Sequence, residues 1–141
     1  MINATGTIDM QGLRYLNLFG QITRVSTRFW FMYNEIIYFL VPRMMLRKAL
    51  GRDGENIKRL SEILRRRIRI IPIPSGVQHA KDFIQTIVKP VEFNDLEIKD
   101  DEIILTAGSH SKAALLGRNK RRLIEMQKIV RDFFARDFRI V

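Results

Sequence analysis

A stretch of this chain occurs twice, and the repeat limits what the chain can fold into. Lys48-Ala49-Leu50-Gly51-Arg52-Asp53-Gly54-Glu55-Asn56-Ile57 is matched by Ala114-Leu115-Leu116-Gly117-Arg118-Asn119-Lys120-Arg121-Arg122-Leu123, at an offset of 66 residues. The correspondence extends outside the loop: Val25 maps to Val91, Ile37 to Ile103 and Arg65 to Arg131. A period this long is too great for a solenoid. It implies two copies of one small domain, each with a glycine loop between two helices. The expected boundaries are 1–74 and 75–141. Domains of this size have marginal cores, so the two are expected to pack together.

The order of elements is the same in both copies. In the first, residues 1–7 read as loose, and Asp9 caps a helix carrying Leu13, Leu16 and Phe19 or Gly20. Val25–Tyr33 and Ile36–Val41 are rich in β-branched and aromatic residues and read as a hairpin turning at Asn34-Glu35. Pro42 stops the second strand. A short helix through Met44, Met45, Lys48 and Ala49 ends at Gly51. Gly54 opens a longer helix with Ile57, Leu60, Ile63 and Leu64 inward, and Arg67–Ile71 forms a third strand. Pro74-Ser75-Gly76 is the linker signal. The second copy repeats this with a helix at about 78–88, strands at about 91–98 and 102–107, and a turn at Lys99-Asp100. A helix capped by Ser109 or Ser111, a long helix at about 120–135 and a strand Phe138–Val141 follow. The class is α+β, and each copy is expected to be a three-stranded mixed sheet with helices on one face.

Charge narrows the partner. The formal net charge is +10, which favours a polyanion. Residues 1–74 hold 13 Lys+Arg against 5 Asp+Glu, residues 75–111 hold 3 against 7, and residues 112–141 hold 9 against 3. Positive charge therefore gathers on the glycine loops and the helices after them. Glu92, Asp95, Glu97 and Asp100–Glu102 gather on the second hairpin. There is no cysteine, so disulfides and thiolate metal sites are excluded. No basic segment followed by an apolar run opens the chain, so no signal peptide is expected. The apolar runs are too short to span a membrane, and a cytoplasmic location is expected.

A G-x-x-G loop suits phosphates. The second helix offers unpaired N–H groups and the positive end of its dipole. Glycines let a nucleic-acid backbone approach closely. Arg47, Lys48, Arg52, Lys58 and Arg59 add attraction by counterion release. Bases of a single strand would lie in the apolar groove beside Ile57. Phe29, Trp30, Phe31, Tyr33, Tyr38 and Phe39 read as core packing, with base stacking as the alternative for an exposed one. Met44 and Met45 read as groove or core fillers. His79 and His110 stand at no metal-ligand spacing. Ser109, His110 and Ser111 lack a paired acid, and no Walker-type loop occurs. No catalysis, cofactor or small-molecule substrate is expected.

Leu50-Gly51-Arg52-Asp53-Gly54-Glu55-Asn56-Ile57 resembles the signature of KH domains, and the element order resembles the type II KH fold. Two such domains in a chain of this length resemble the archaeal NusA-like transcription factors. The resemblance implies single-stranded RNA binding in transcription elongation or termination, with RNA polymerase as a further partner. It places RNA contacts on Gly51, Arg52, Asp53 and Gly54, and on Gly117, Arg118, Asn119 and Lys120. Lys112 and Arg121 flank the second loop, together with Arg122. Lys120 departs from the pattern: it either blocks close phosphate approach or supplies charge in place of backbone contact. Asp53 would face phosphates, and Arg52 is expected to neutralise it. The alternatives are a KH module that docks a ribosome or polymerase without strong RNA binding of its own, and a phosphate-handling enzyme.

Overall fold

The computed structural model describes residues 9–141. The expectation for residues 1–7 lies outside the described residues. The chain divides into two compact units between Ile73 and Pro74, one residue before the boundary read from the sequence.

The first unit runs α1 (Met10–Thr23), β1 (Phe29–Tyr33), β2 (Ile36–Val41), α2 (Leu46–Leu50), α3 (Glu55–Leu64) and β3 (Arg67–Pro72). Its sheet has the order β1-β2-β3, with β1 antiparallel and β3 parallel to the central β2. Asp9 caps α1, its carboxylate accepting from the Gln11 amide at 3.0 Å. Asn34 and Glu35 both adopt positive φ, 52° and 64°, which is the twist a two-residue hairpin needs. Ile37, Phe39 and Val41 of β2 join Ile68 and Ile70 of β3, Tyr15, Leu16 and Phe19 of α1, Ala49 of α2 and Leu60 of α3 in one core. The helices therefore cover one sheet face. Ile36, Tyr38 and Leu40, on the other face, are also buried. Tyr38 stacks on Phe31 with ring centroids 4.9 Å apart. Burial pushes the Tyr38 phenol up, opposed by the Arg69 guanidinium that donates to its hydroxyl.

The second unit runs α4 (Ala80–Val88), β4 (Asp95–Ile98), β5 (Glu102–Thr106), α5 (Ser109–Leu116), α6 (Arg121–Phe134) and β6 (Asp137–Ile140). Its sheet has the order β4-β5-β6, antiparallel then parallel, as in the first unit. Ile103, Leu105, Met126, Val130 and Phe138 are buried.

Several expectations need correction. Residues 25–28 are not strand. Leu40 is the last residue of β2 paired with β1, Pro42 has no N–H to offer, and the Thr27 hydroxyl donates to the Leu40 carbonyl instead. Residues 91–94 lie outside β4, because β5 stops at Thr106 and turns through Gly108 into α5. That helix starts after Gly108 with no side-chain cap, so neither Ser109 nor Ser111 caps it. Leu13, Ile63 and Met44 are exposed, Met44 to 87%. At about 100° per residue, Ile63 lies roughly a quarter-turn from the line through Ile57, Leu60 and Leu64. Finally, the offset is not constant. Strand β3 begins at Arg67 and β6 at Asp137, each opposite the first residue of its parallel partner, so the offset there is 70. Helix α6 has 14 residues and α3 has 10. The extra four make about one helical turn, which keeps the apolar face in phase. The residue equivalent to Arg65 is therefore Ala135 and not Arg131.

Candidate nucleic-acid interface

The two glycine loops have one backbone. Gly51 ends α2, donating to the Arg47 carbonyl at 3.2 Å, and Gly117 ends α5, donating to the Ala113 carbonyl at 3.1 Å. Gly51 has φ 75° and ψ 179°, and Gly117 has φ 74° and ψ 174°. This region is essentially closed to residues with a Cβ. Asp53 (φ 55°, ψ 30°) and Asn119 (φ 56°, ψ 30°) are left-handed. So are Gly54 (φ 71°, ψ 22°) and Lys120 (φ 59°, ψ 26°). Helices α3 and α6 then begin.

The two glycine positions are not equivalent. A Cβ at Gly51 would meet the Asn56 side-chain nitrogen at 2.9 Å, and one at Gly117 would meet Arg122 Cγ at 2.5 Å and its amide nitrogen at 3.0 Å. A Cβ at Gly54 would have nothing within 4 Å. The fold thus requires glycine first and merely prefers it fourth. Lys120 needs no rearrangement: a side chain there leaves into solvent, and only the left-handed backbone opposes it, by about 1–2 kcal/mol.

Asp53 is explained by the same geometry. Short polar side chains tolerate the left-handed region best, and Asn119 fills the same place. Both Arg52 and Asp53 are exposed, and among the described residues no ion pair joins them.

Around the first loop, Arg47, Lys48, Arg52, Lys58 and Arg59 are exposed, while Ile57 is half-buried and packed on the core. Around the second, Arg118, Asn119, Lys120 and Arg121 are exposed and Lys112 is half-buried. Arg122 is not available to a ligand in this arrangement, because its guanidinium donates to the Glu125 carboxylate on its own helix.

Asn56 was missed in the sequence. It is buried, and its side-chain amide donates to the Ala49 carbonyl at 2.9 Å, tying the start of α3 to the end of α2. The available signal was its i, i+4 spacing to Leu60. Asn56→Ala is expected to cost about 1–3 kcal/mol, because it leaves the Ala49 carbonyl buried without that donor. Urea denaturation of the variant measures this, and a loss under about half a kcal/mol would show that the link between the helices is dispensable.

Among the described residues, no group of three His, Asp or Glu side chains could hold a metal ion, and no helix is long and apolar enough to cross a membrane.

No family model matches the chain, and no curated protein does either. Among solved structures, the crystal structure of APE1850 superposes with a TM-score of 0.64 at 21% sequence identity, over 95% of this chain and 99% of that one. At that identity the likeness shows a common fold of two small α+β units, each with a three-stranded mixed sheet.

Proposed function

We propose that this protein binds single-stranded RNA through tandem type II KH domains, as a NusA-like factor acting on nascent transcripts. One observation supports this most. The same four-residue backbone is built twice, 66 residues apart, with a glycine at its first position and exposed cations on both sides. A turn needed only to join two helices would not require that charge. The main chain accepts phosphates at the loop, and the helix that follows orients N–H groups toward them. The first loop, with Gly54, lets the phosphate touch backbone. The second presents the Lys120 ammonium where Gly54 leaves space.

The test is affinity for labelled single-stranded RNA, against duplex RNA and single-stranded DNA, over a salt series. Gly54→Asp is the informative loop variant, since the position is open and aspartate tolerates the left-handed backbone. It is expected to lower single-strand affinity by about tenfold or more with a drop in melting temperature of no more than about 5 °C. Lys120→Gly is expected to reduce the salt slope by about 0.7. Equal binding of all three polyanions, indifferent to both changes, would overturn the reading. It would leave a module that docks to a larger assembly.

A further inference from the structure

We infer that the first unit carries a second phosphate-binding surface, built by Arg65, Arg67 and Arg69 at the far end of α3 from the glycine loop. This rests on the single-stranded RNA reading above. Ten residues of helix separate the two places, or about 15 Å.

The second unit supplies an internal control. Arg65 closes α3 in the left-handed region at φ 53° and ψ 42°, and Ala135 closes α6 at φ 54° and ψ 42°. Each donates its amide to the carbonyl four residues back, at 2.8 and 3.0 Å. The following strand starts in the same register in both units. One turn is therefore made by Arg65-Arg66-Arg67 and again by Ala135-Arg136-Asp137. The fold itself needs no arginine at the first or third place.

The electrostatics diverge although the backbone does not. In the second unit the turn is neutralised: Asp137 pairs with Arg131 at 2.8 Å and Arg139 pairs with Glu102 at 2.8 Å. In the first unit neither of these two carboxylates has an equivalent. Ile36 stands where Glu102 does, and Arg67 stands where Asp137 does. Among the described residues no carboxylate lies within ion-pair distance of Arg65 or Arg67, and both are exposed. Arg69 is held in place, its guanidinium 5.3 Å from the Tyr38 ring centroid and donating to the hydroxyl at 3.2 Å. Arg67 and Arg69 share one side of an edge strand.

Two simpler roles fall short. A cation at a helix C-terminus offsets the dipole, but in the second unit Arg136, the equivalent of Arg66, fills that role by donating to the Phe134 carbonyl, with alanine and aspartate on either side of it. Charge on an edge strand blocks unwanted pairing, but β6 does this with paired, neutral charge. Exposed guanidinium groups such as those of Arg65 and Arg67 suit phosphates. The chemistry is thus that of an RNA strand too long for the glycine loop alone, which clamps about four nucleotides.

The experiment compares a four-nucleotide RNA with one three times as long. The proteins are the full chain, Arg65→Ala/Arg67→Gln and Gly54→Asp. The double arginine variant is expected to leave the short RNA unaffected. It should weaken the long one about three- to tenfold at low salt and lower its salt slope by about 1.4, the share of two phosphates. Unchanged melting is expected, since alanine already occupies the same turn at 135. If Gly54→Asp weakens both RNAs while the arginine variant weakens neither, the surface is overturned and the loop stands. If the arginine variant weakens the long RNA and Gly54→Asp weakens nothing, the loop reading fails and the arginines are the site. An equal loss on duplex RNA overturns the single-strand assignment.

Discussion

Gly51→Ala is expected to destabilise the protein by about 2–3 kcal/mol, and Gly54→Ala by about 1 kcal/mol. Both residues have positive φ, and in a sequence motif they look interchangeable. They differ in what a methyl group would meet. At Gly51 it would press on the buried Asn56 amide that holds α2 to α3, in a backbone region closed to alanine. At Gly54 it would meet nothing within 4 Å. Gly117→Ala should be at least as severe as Gly51→Ala, since the atoms in its way include the Arg122 backbone nitrogen. A backbone cannot rotate aside as a side chain can. Thermal or urea denaturation decides the matter. A drop in midpoint of about 10 °C or more is expected for Gly51→Ala. Equal losses at Gly51 and Gly54 would refute the distinction. For the same reason, binding loss in a Gly51 variant says little about phosphates.

Phe39→Ala is expected to cost about 3–5 kcal/mol, more than any of the glycine-loop substitutions. Phe39 is fully buried at the centre of β2 and stacks on Phe19 at 4.5 Å. The cavity would open between the central strand and α1, where neither can close it without breaking register. Against a typical total of about 5–15 kcal/mol, little of the first unit's stability would remain. Its glycine loop would lose definition with it. Phe31→Ala should cost less than half as much, because Phe31 is only half-buried and stacks on the outer side of the sheet. Denaturant midpoints of the two variants give the comparison. Similar losses would mean that the two sheet faces are equally tight.

Much of the fold was legible because its signals are local. Ile36–Val41 is an unbroken β-branched and aromatic run, and it is the central strand, buried on both faces. Asn34-Glu35 marked the hairpin turn. Other errors arose where a partner strand ended, which no local pattern reports: residues 25–28 and 91–94 have strand-like composition but lie before the first ladder pairs, at Phe29 and Asp95. Leu13 and Ile63 sit at the margin of their helical stripes, where periodicity is least decisive. The extra turn of α6 was hidden because Arg131 matches Arg65 at the offset of 66, while the structure pairs Arg65 with Ala135. At the candidate site, the position of both loops was readable from glycine and charge. Which glycine the fold depends on was not, since that follows from Asn56 and Arg122 reaching back across the turn. Nor could the sequence show that, among the described residues, no carboxylate lies within ion-pair distance of the arginines at 65 and 67.

The open fourth position has a consequence for how a duplicated domain can change. Two copies that begin alike are free to drift only where a mutation leaves the protein folded. In this loop the first glycine is barred from drifting and the fourth is not. A substitution such as the one that separates Lys120 from Gly54 therefore alters the surface offered to a ligand through one residue alone. It needs no compensating change elsewhere, so the two loops could acquire different ligand preferences while each copy kept its scaffold.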